Sequence, residues 1–154
     1  MSLPDVGKVC PPGGAVQSEV FAFGRMPLAL SARCFTARHH NLQKDQCGFI
    51  CRDDPDGCTV RSQEGQVFLA LNGIQTQSQH HCNLLNQSDD MVRRGVGIMR
   101  ISLSHPHDLQ HAQQLRDRRE GQATRLPVTD SESCNGYWFG QPGQVQLTDA
   151  DLHA

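Results

Sequence analysis

Apolar residues come in short bursts along this chain, separated by polar and turn-rich stretches. In VQSEVFAFG, the residues Val16, Val20, Phe21 and Phe23 run into Gly24 and predict a short strand. MPLAL, Met26 to Leu30, follows at once; its proline predicts a buried turn or a single helical turn. GQVFLALNG, Gly65 to Gly73, has a continuous apolar centre with β-branched and aromatic members, and predicts a buried strand or half of a hairpin. From Cys82 to Arg94 the residues Leu84, Leu85, Met91 and Val92 fit a short helix closed by Gly95. GVGIMRISL is the clearest strand, through Val96, Ile98, Met99 and Ile101. Asp108 to Glu120 is the clearest helix: Leu109, Ala112 and Leu115 recur at three-residue steps, and Gly121 ends it.

Strand, helix, strand, helix is the order of an α/β protein with parallel pairing. A closed eight-fold α/β barrel needs about 250 residues, so a chain of 154 residues could hold only part of one. The expected organisation is a poorly ordered lead-in over residues 1–15, where Pro4, Pro11, Pro12, Gly13 and Gly14 crowd together. A partial α/β domain over residues 16–143 and a tail over 144–154 complete it.

Composition narrows the partners. The formal net charge is −2, with both signs interspersed. Neither nucleic acid nor an anionic membrane is expected to bind, since each needs a basic face. There is no run of about 18 apolar residues, so no membrane span is expected. The first residues lack the apolar core of a secretory signal, and a cytoplasmic location is expected. Against that background seven cysteines, an odd number, do not predict a disulfide framework. Metal or cluster ligands, or a reactive thiol, are the readings that remain beside ordinary reduced thiols.

Three of the seven fall in SARCFTARHHNLQKDQCGFIC. Cys47 and Cys51 form a C-x₃-C pair, Cys34 lies thirteen residues before Cys47, and Cys58 follows seven after Cys51. The neighbours are polar and basic, with Arg33, Arg38, Lys44 and Arg52 among them. Positive charge favours thiolate and offsets the negative charge of a thiolate-ligated cluster. Soft thiolates select zinc or iron–sulfur clusters over hard cations. The C-x₃-C spacing is looser than the C-x₂-C of common zinc and ferredoxin sites. Zinc would need a fourth donor, for which His39 or His40 is available. Spacing alone leaves cluster, zinc and plain thiols open.

His105, His107 and His111 form a second candidate metal group, but they lie at the start of the expected 108–120 helix. Polar residues that cap a helix, with Asp108 as the N-cap, explain them at least as well. No H-E-x-x-H, G-x-S-x-G or phosphate-binding loop is present. Glu19, Asp53, Asp54 and Asp56 receive no assignment, and the catalytic residues stay unknown.

The ordered series FAFGRMPLALSARCFTAR, Cys47-x₃-Cys51, LNGIQTQS, CNLL, GVGIMRIS and CNGYWFGQPG carries more. It resembles the C-terminal half of the collagenase-like peptidase family of unassigned mechanism, in the UbiV group that serves oxygen-independent ubiquinone biosynthesis. The resemblance runs from about Val16 to Gly143. It implies a TIM-barrel-like (β/α) fold, here incomplete. It also implies a 4Fe–4S cluster for which Cys34, Cys47 and Cys51 supply three iron ligands, the fourth coming from a half that this chain lacks. A UbiU-like protein is the implied partner, as a heterodimer, and the implied reaction is oxygen-independent hydroxylation of the ubiquinone precursor ring. Arg33 and Arg38 would flank the cluster. Asn72 and Gln75 would stand at a strand end facing the barrel mouth, unless Asn72-Gly73 is simply a tight turn. The alternatives are a peptidase, after the family's older name, and a truncated zinc-binding or interaction fragment without catalysis.

Overall fold

The strand expected at Val16–Gly24 forms, and it does not stop at the glycine. In the computed structural model, which describes residues 3–9, 11, 13–122, 133–148 and 151, β1 runs from Glu19 to Leu30. MPLAL is therefore strand and not a turn. Gly24 takes φ +116°, in a region that L side chains avoid, and a Cβ there would overlap the Ser102 carbonyl oxygen. The pairing register shifts between Phe21 and Phe23. This bulge lets the strand bend where a side chain could not fit, and continue.

Five further strands follow: β2 (Cys58–Arg61), β3 (Val67–Asn72), β4 (Gln75–Asn83), β5 (Ile98–Ile101) and β6 (Ser133–Cys134). The helices are α1 (Leu3–Val9), α2 (Phe35–His39), α3 (Ser88–Arg93) and α4 (Leu109–Arg119). The strands make one mixed sheet in the order β2-β3-β4-β1-β5, with β6 beside β4. The class is α/β, as expected. The sheet is not closed, since β2 and β5 are edges. Antiparallel pairing of β2 with β3 and of β3 with β4 replaces the all-parallel pattern of a barrel. The reason is local: short turns join these strands, where parallel neighbours would need long crossovers. No helix among the described residues is long and apolar enough to cross a membrane.

The chain divides into two compact units, Met1–Gly24 with His81–Ala154, and Arg25–His80. In the first, Glu19–Phe23 of β1 pairs in parallel with β5, and His81–Cys82 of β4 pairs in parallel with β6. Phe23, Leu85 and Leu115 form the core, with Met99 and Ile101 packed against it. Met91 and Val6 are buried as well, the latter from a helix inside the expected lead-in. Arg118 of α4 reaches α3, donating to the Ser88 hydroxyl at 3.1 Å and to the Asp89 carboxylate at 2.7 Å.

The second unit is built differently. Its hairpin joins Asn72 to Gln75 across Gly73 and Ile74. Gly73 has φ +59°, the left-handed conformation that a two-residue hairpin loop requires. Among the described residues of this unit only Thr36, Ala37 and Ala70 are buried. Three small side chains are a thin core for a unit of this size.

Candidate metal centre

The segment that carries the cysteines is fastened to the Gly73–Ile74 loop. Ser31 donates its amide to the Ile74 carbonyl at 2.8 Å, and Phe35 to the Gly73 carbonyl at 2.7 Å. Gly73 returns its own amide to the Thr36 hydroxyl at 3.3 Å. The tight turn is thus the role of Asn72-Gly73, and Asn72 spends its side-chain amide on the Pro55 carbonyl. Gln75 accepts from Gln77 on the same strand. Neither faces a barrel mouth, because the described sheet has none.

Cys34 stands at the head of α2. Its φ and ψ of −66° and 118° are extended, and its sulfur accepts the Ala37 amide at 3.4 Å, as an N-cap does. Arg33, Cys34 and Arg38 all line an open pocket of about 600 Å³. Between Cys47 and Cys51 the backbone reverses: Gly48 and Phe49 both take φ +58°, and the Ile50 amide returns to the Cys47 carbonyl at 3.1 Å. Left-handed backbone is costly for phenylalanine, and its ring is 71% exposed. Such strain concentrates at functional loops. The reversal is what a C-x₃-C pair needs in order to converge. Only the glycine at 48 hinted at it in the sequence.

Cys34, Cys47, Cys51 and Cys58 are all free and half-buried, and all lie in the Arg25–His80 unit. The fold does not gather Cys34, Cys47 and Cys51 into a finished ligand set: among the described residues no three His, Cys, Asp or Glu side chains stand grouped to hold a metal ion. His39 and His40 meet edge to face at 5.2 Å, both exposed. As donors, three thiols on irregular segments of one unit suit a soft metal or an iron–sulfur cluster, and they leave one position to be filled from elsewhere.

The remaining cysteines are elsewhere. Cys10 lies outside the described residues. Cys82 and Cys134 are register partners on β4 and β6, both buried. Burial pushes the Cys82 thiol up to about 12, with the nearby Cys134 adding to it, and burial raises Cys134 as well. Both are held as neutral thiols.

The histidine group is divided among structural tasks. His105 caps the turn leading into α4, its side chain accepting the Asp108 amide, while the Asp108 carboxylate accepts the amides of His105 at 2.9 Å and Ser104 at 2.7 Å. This reciprocal box makes His105 the cap, with Asp108 at its third residue; the sequence had suggested Asp108 itself. Burial pushes the Asp108 carboxyl upward. The two amides, with His107 and His81, outweigh burial and hold it below its ordinary value. The His105 and His107 rings stack at 5.1 Å. His111 lies on Phe23, with ring centres 4.2 Å apart.

No protein-family model matches the chain. No solved structure matches it with significance either. The residues themselves carry the rest. In CNGYW, the Asn135 side chain grips Leu147 at both ends, accepting its amide at 2.7 Å and donating to its carbonyl at 2.9 Å. Trp138 is buried. That motif serves folding. Glu19 pairs with Arg100 at 2.6 Å, and the Asp56 carbonyl accepts Arg25 at 2.5 Å.

Proposed function

We propose that this chain is a UbiV-like iron–sulfur protein in which Cys34, Cys47 and Cys51 hold three irons of a 4Fe–4S cluster. The observation that carries the reading is the make-up of the Arg25–His80 unit. It has three thiols on fastened or reversed loops, and a core of only Thr36, Ala37 and Ala70. Units with so little apolar burial are commonly held by metals or disulfides. The ordered motif series of the sequence supports the same reading. When bound, the cluster supplies one-electron chemistry. The chain's own part would be to position it: the Gly73 loop ties down the Cys34 segment, and the Gly48–Phe49 reversal would let Cys51 approach Cys47.

The same proposal places the open α/β sheet in a larger TIM-barrel-like (β/α) fold, to which it would contribute the C-terminal part. A UbiU-like protein would be the heterodimer partner, in the cytoplasm, with the ubiquinone precursor ring as substrate of an oxygen-independent hydroxylation. A four-coordinate zinc is the competing occupant of the thiols.

The test is the Cys47→Ala/Cys51→Ala double variant, purified without oxygen. The reading expects iron retention to be lost while the fold of the other unit, followed by Trp138 fluorescence, persists. Iron retained in full would refute the ligand assignment. Peptidase activity present in both forms would favour a hydrolase instead.

A further inference from the structure

We propose that the open pocket beside Cys34 binds a small organic acid, with Arg33 and Arg38 holding its anionic group. The pocket encloses about 600 Å³, within the range of small-molecule sites. Arg33 and Arg38 both line it, and no aspartate or glutamate does. Neither guanidinium has a hydrogen-bond or ion-pair partner among the described residues. By contrast, Arg93, Arg100 and Arg118 are each paired with a carboxylate within 3 Å. Two guanidinium groups on one concavity, without partners among the described residues, offer the planar donors that a carboxylate accepts.

The rest of the lining suits a carbon skeleton. Ala32, Ala37 and Leu42 offer apolar contact. The wall is fixed by the backbone: Leu42 donates to the Ala37 carbonyl at 2.8 Å, and Asn41 to the Arg38 carbonyl at 3.1 Å. Asn41 is held at φ +53°, which asparagine tolerates better than most residues. The anion site needs no metal. Its consequence for chemistry, an organic acid placed next to whatever Cys34 holds, rests on the cluster reading above.

Titration of the full chain, followed by amide resonances, tests the site with three probes. Benzoate carries charge and ring, inorganic phosphate charge alone, and benzamide ring alone. The expected result is saturable benzoate binding that shifts residues 33–42, with phosphate weaker and benzamide weakest. Arg33→Gln and Arg38→Gln should each weaken benzoate roughly threefold to tenfold, and the pair should abolish saturation. Both side chains are exposed, so the variants should keep the parent spectrum elsewhere. Shifts that stay linear in concentration, or survive the double change, would overturn the proposal. Phosphate preferred over benzoate would overturn the organic-acid assignment. Repeating the titration on metal-free and iron-loaded chain separates the two readings. Benzoate binding without iron retention sinks only the cluster, and iron retention without benzoate binding sinks only the anion site.

Discussion

Replacing Thr36 by valine removes a single hydroxyl from beneath the cysteine segment and leaves its volume nearly unchanged. Thr36 is 2% exposed, and its Oγ1 is the acceptor for the Gly73 amide at 3.3 Å. The amide is partly buried. A net hydrogen bond is worth about 1 kcal/mol, and a donor left without a partner adds to that. The length of this bond sets the total at the lower end, about 1–2 kcal/mol, or roughly a 5- to 30-fold change in the folded ratio. Thr36→Ser is the control. It keeps the acceptor and loses one methyl group, worth about 0.8 kcal/mol. Native-state hydrogen exchange at Gly73 distinguishes the two. Exchange should quicken by the stated factor in Thr36→Val and stay close to the parent in Thr36→Ser. Iron retention should fall in the valine variant, because the Cys34 segment loses one of its three ties to the loop. Equal Gly73 exchange in parent and valine variant would refute the claim that this hydroxyl fastens the site.

Other outcomes follow from the same geometry. Asp108 is held below its ordinary value of 3.8, so it stabilises the fold above that pH, and the contribution is lost as pH falls through its lower folded value. Asp108→Ala should cost about 1–2 kcal/mol at neutral pH and flatten the acid limb of a stability-versus-pH curve; an unchanged acid limb would contradict the capping role. Cys82 is raised from 9.0 to about 12, so the stability it gives is complete below pH 9 and declines between 9 and about 12. A thiol reagent at neutral pH should therefore modify Cys34, Cys47, Cys51 and Cys58 well before Cys82 and Cys134, read by mass spectrometry of peptides; early labelling of Cys82 would overturn this. Phe49→Gly relieves left-handed strain at φ +58° and should raise denaturant stability by roughly 0.5–1 kcal/mol with iron retention kept. A loss of stability would mean that the exposed ring has a packing partner.

How much of this was legible depends on whether a residue's task is written in its own pattern. The strand at Val20–Phe23, the strand through Ile98 and Ile101, the hairpin turn at Gly73 and the helix ended by Gly121 announce themselves by apolar runs or glycine. β4 does not. Gln75, Thr76, Gln77, Ser78, Gln79, His80 and His81 contain no apolar run, yet they form a strand with four register pairs to β3. Its side chains are mostly half-exposed, so backbone pairing and not burial defines it. The extension of β1 through MPLAL was hidden for the same reason, since Pro27 to Leu30 are exposed. At the site, the cysteine positions were plain. The ties from Ser31, Phe35 and Thr36 to the Gly73 loop were not, because they join groups some forty residues apart, two of them between backbone atoms and one through the Thr36 hydroxyl. Backbone hydrogen bonds of that kind leave little mark on residue type.

The central claim is that Cys34, Cys47 and Cys51 hold a cluster that stiffens the thin-cored Arg25–His80 unit. Anoxic reconstitution of the chain, with iron, acid-labile sulfide and zinc measured on the same sample, tests it most directly. The account predicts about four irons and four sulfides per chain, together with protection of the Arg25–His80 unit from proteolysis that disappears when a chelator strips the iron. One zinc per chain without iron or sulfide would contradict it.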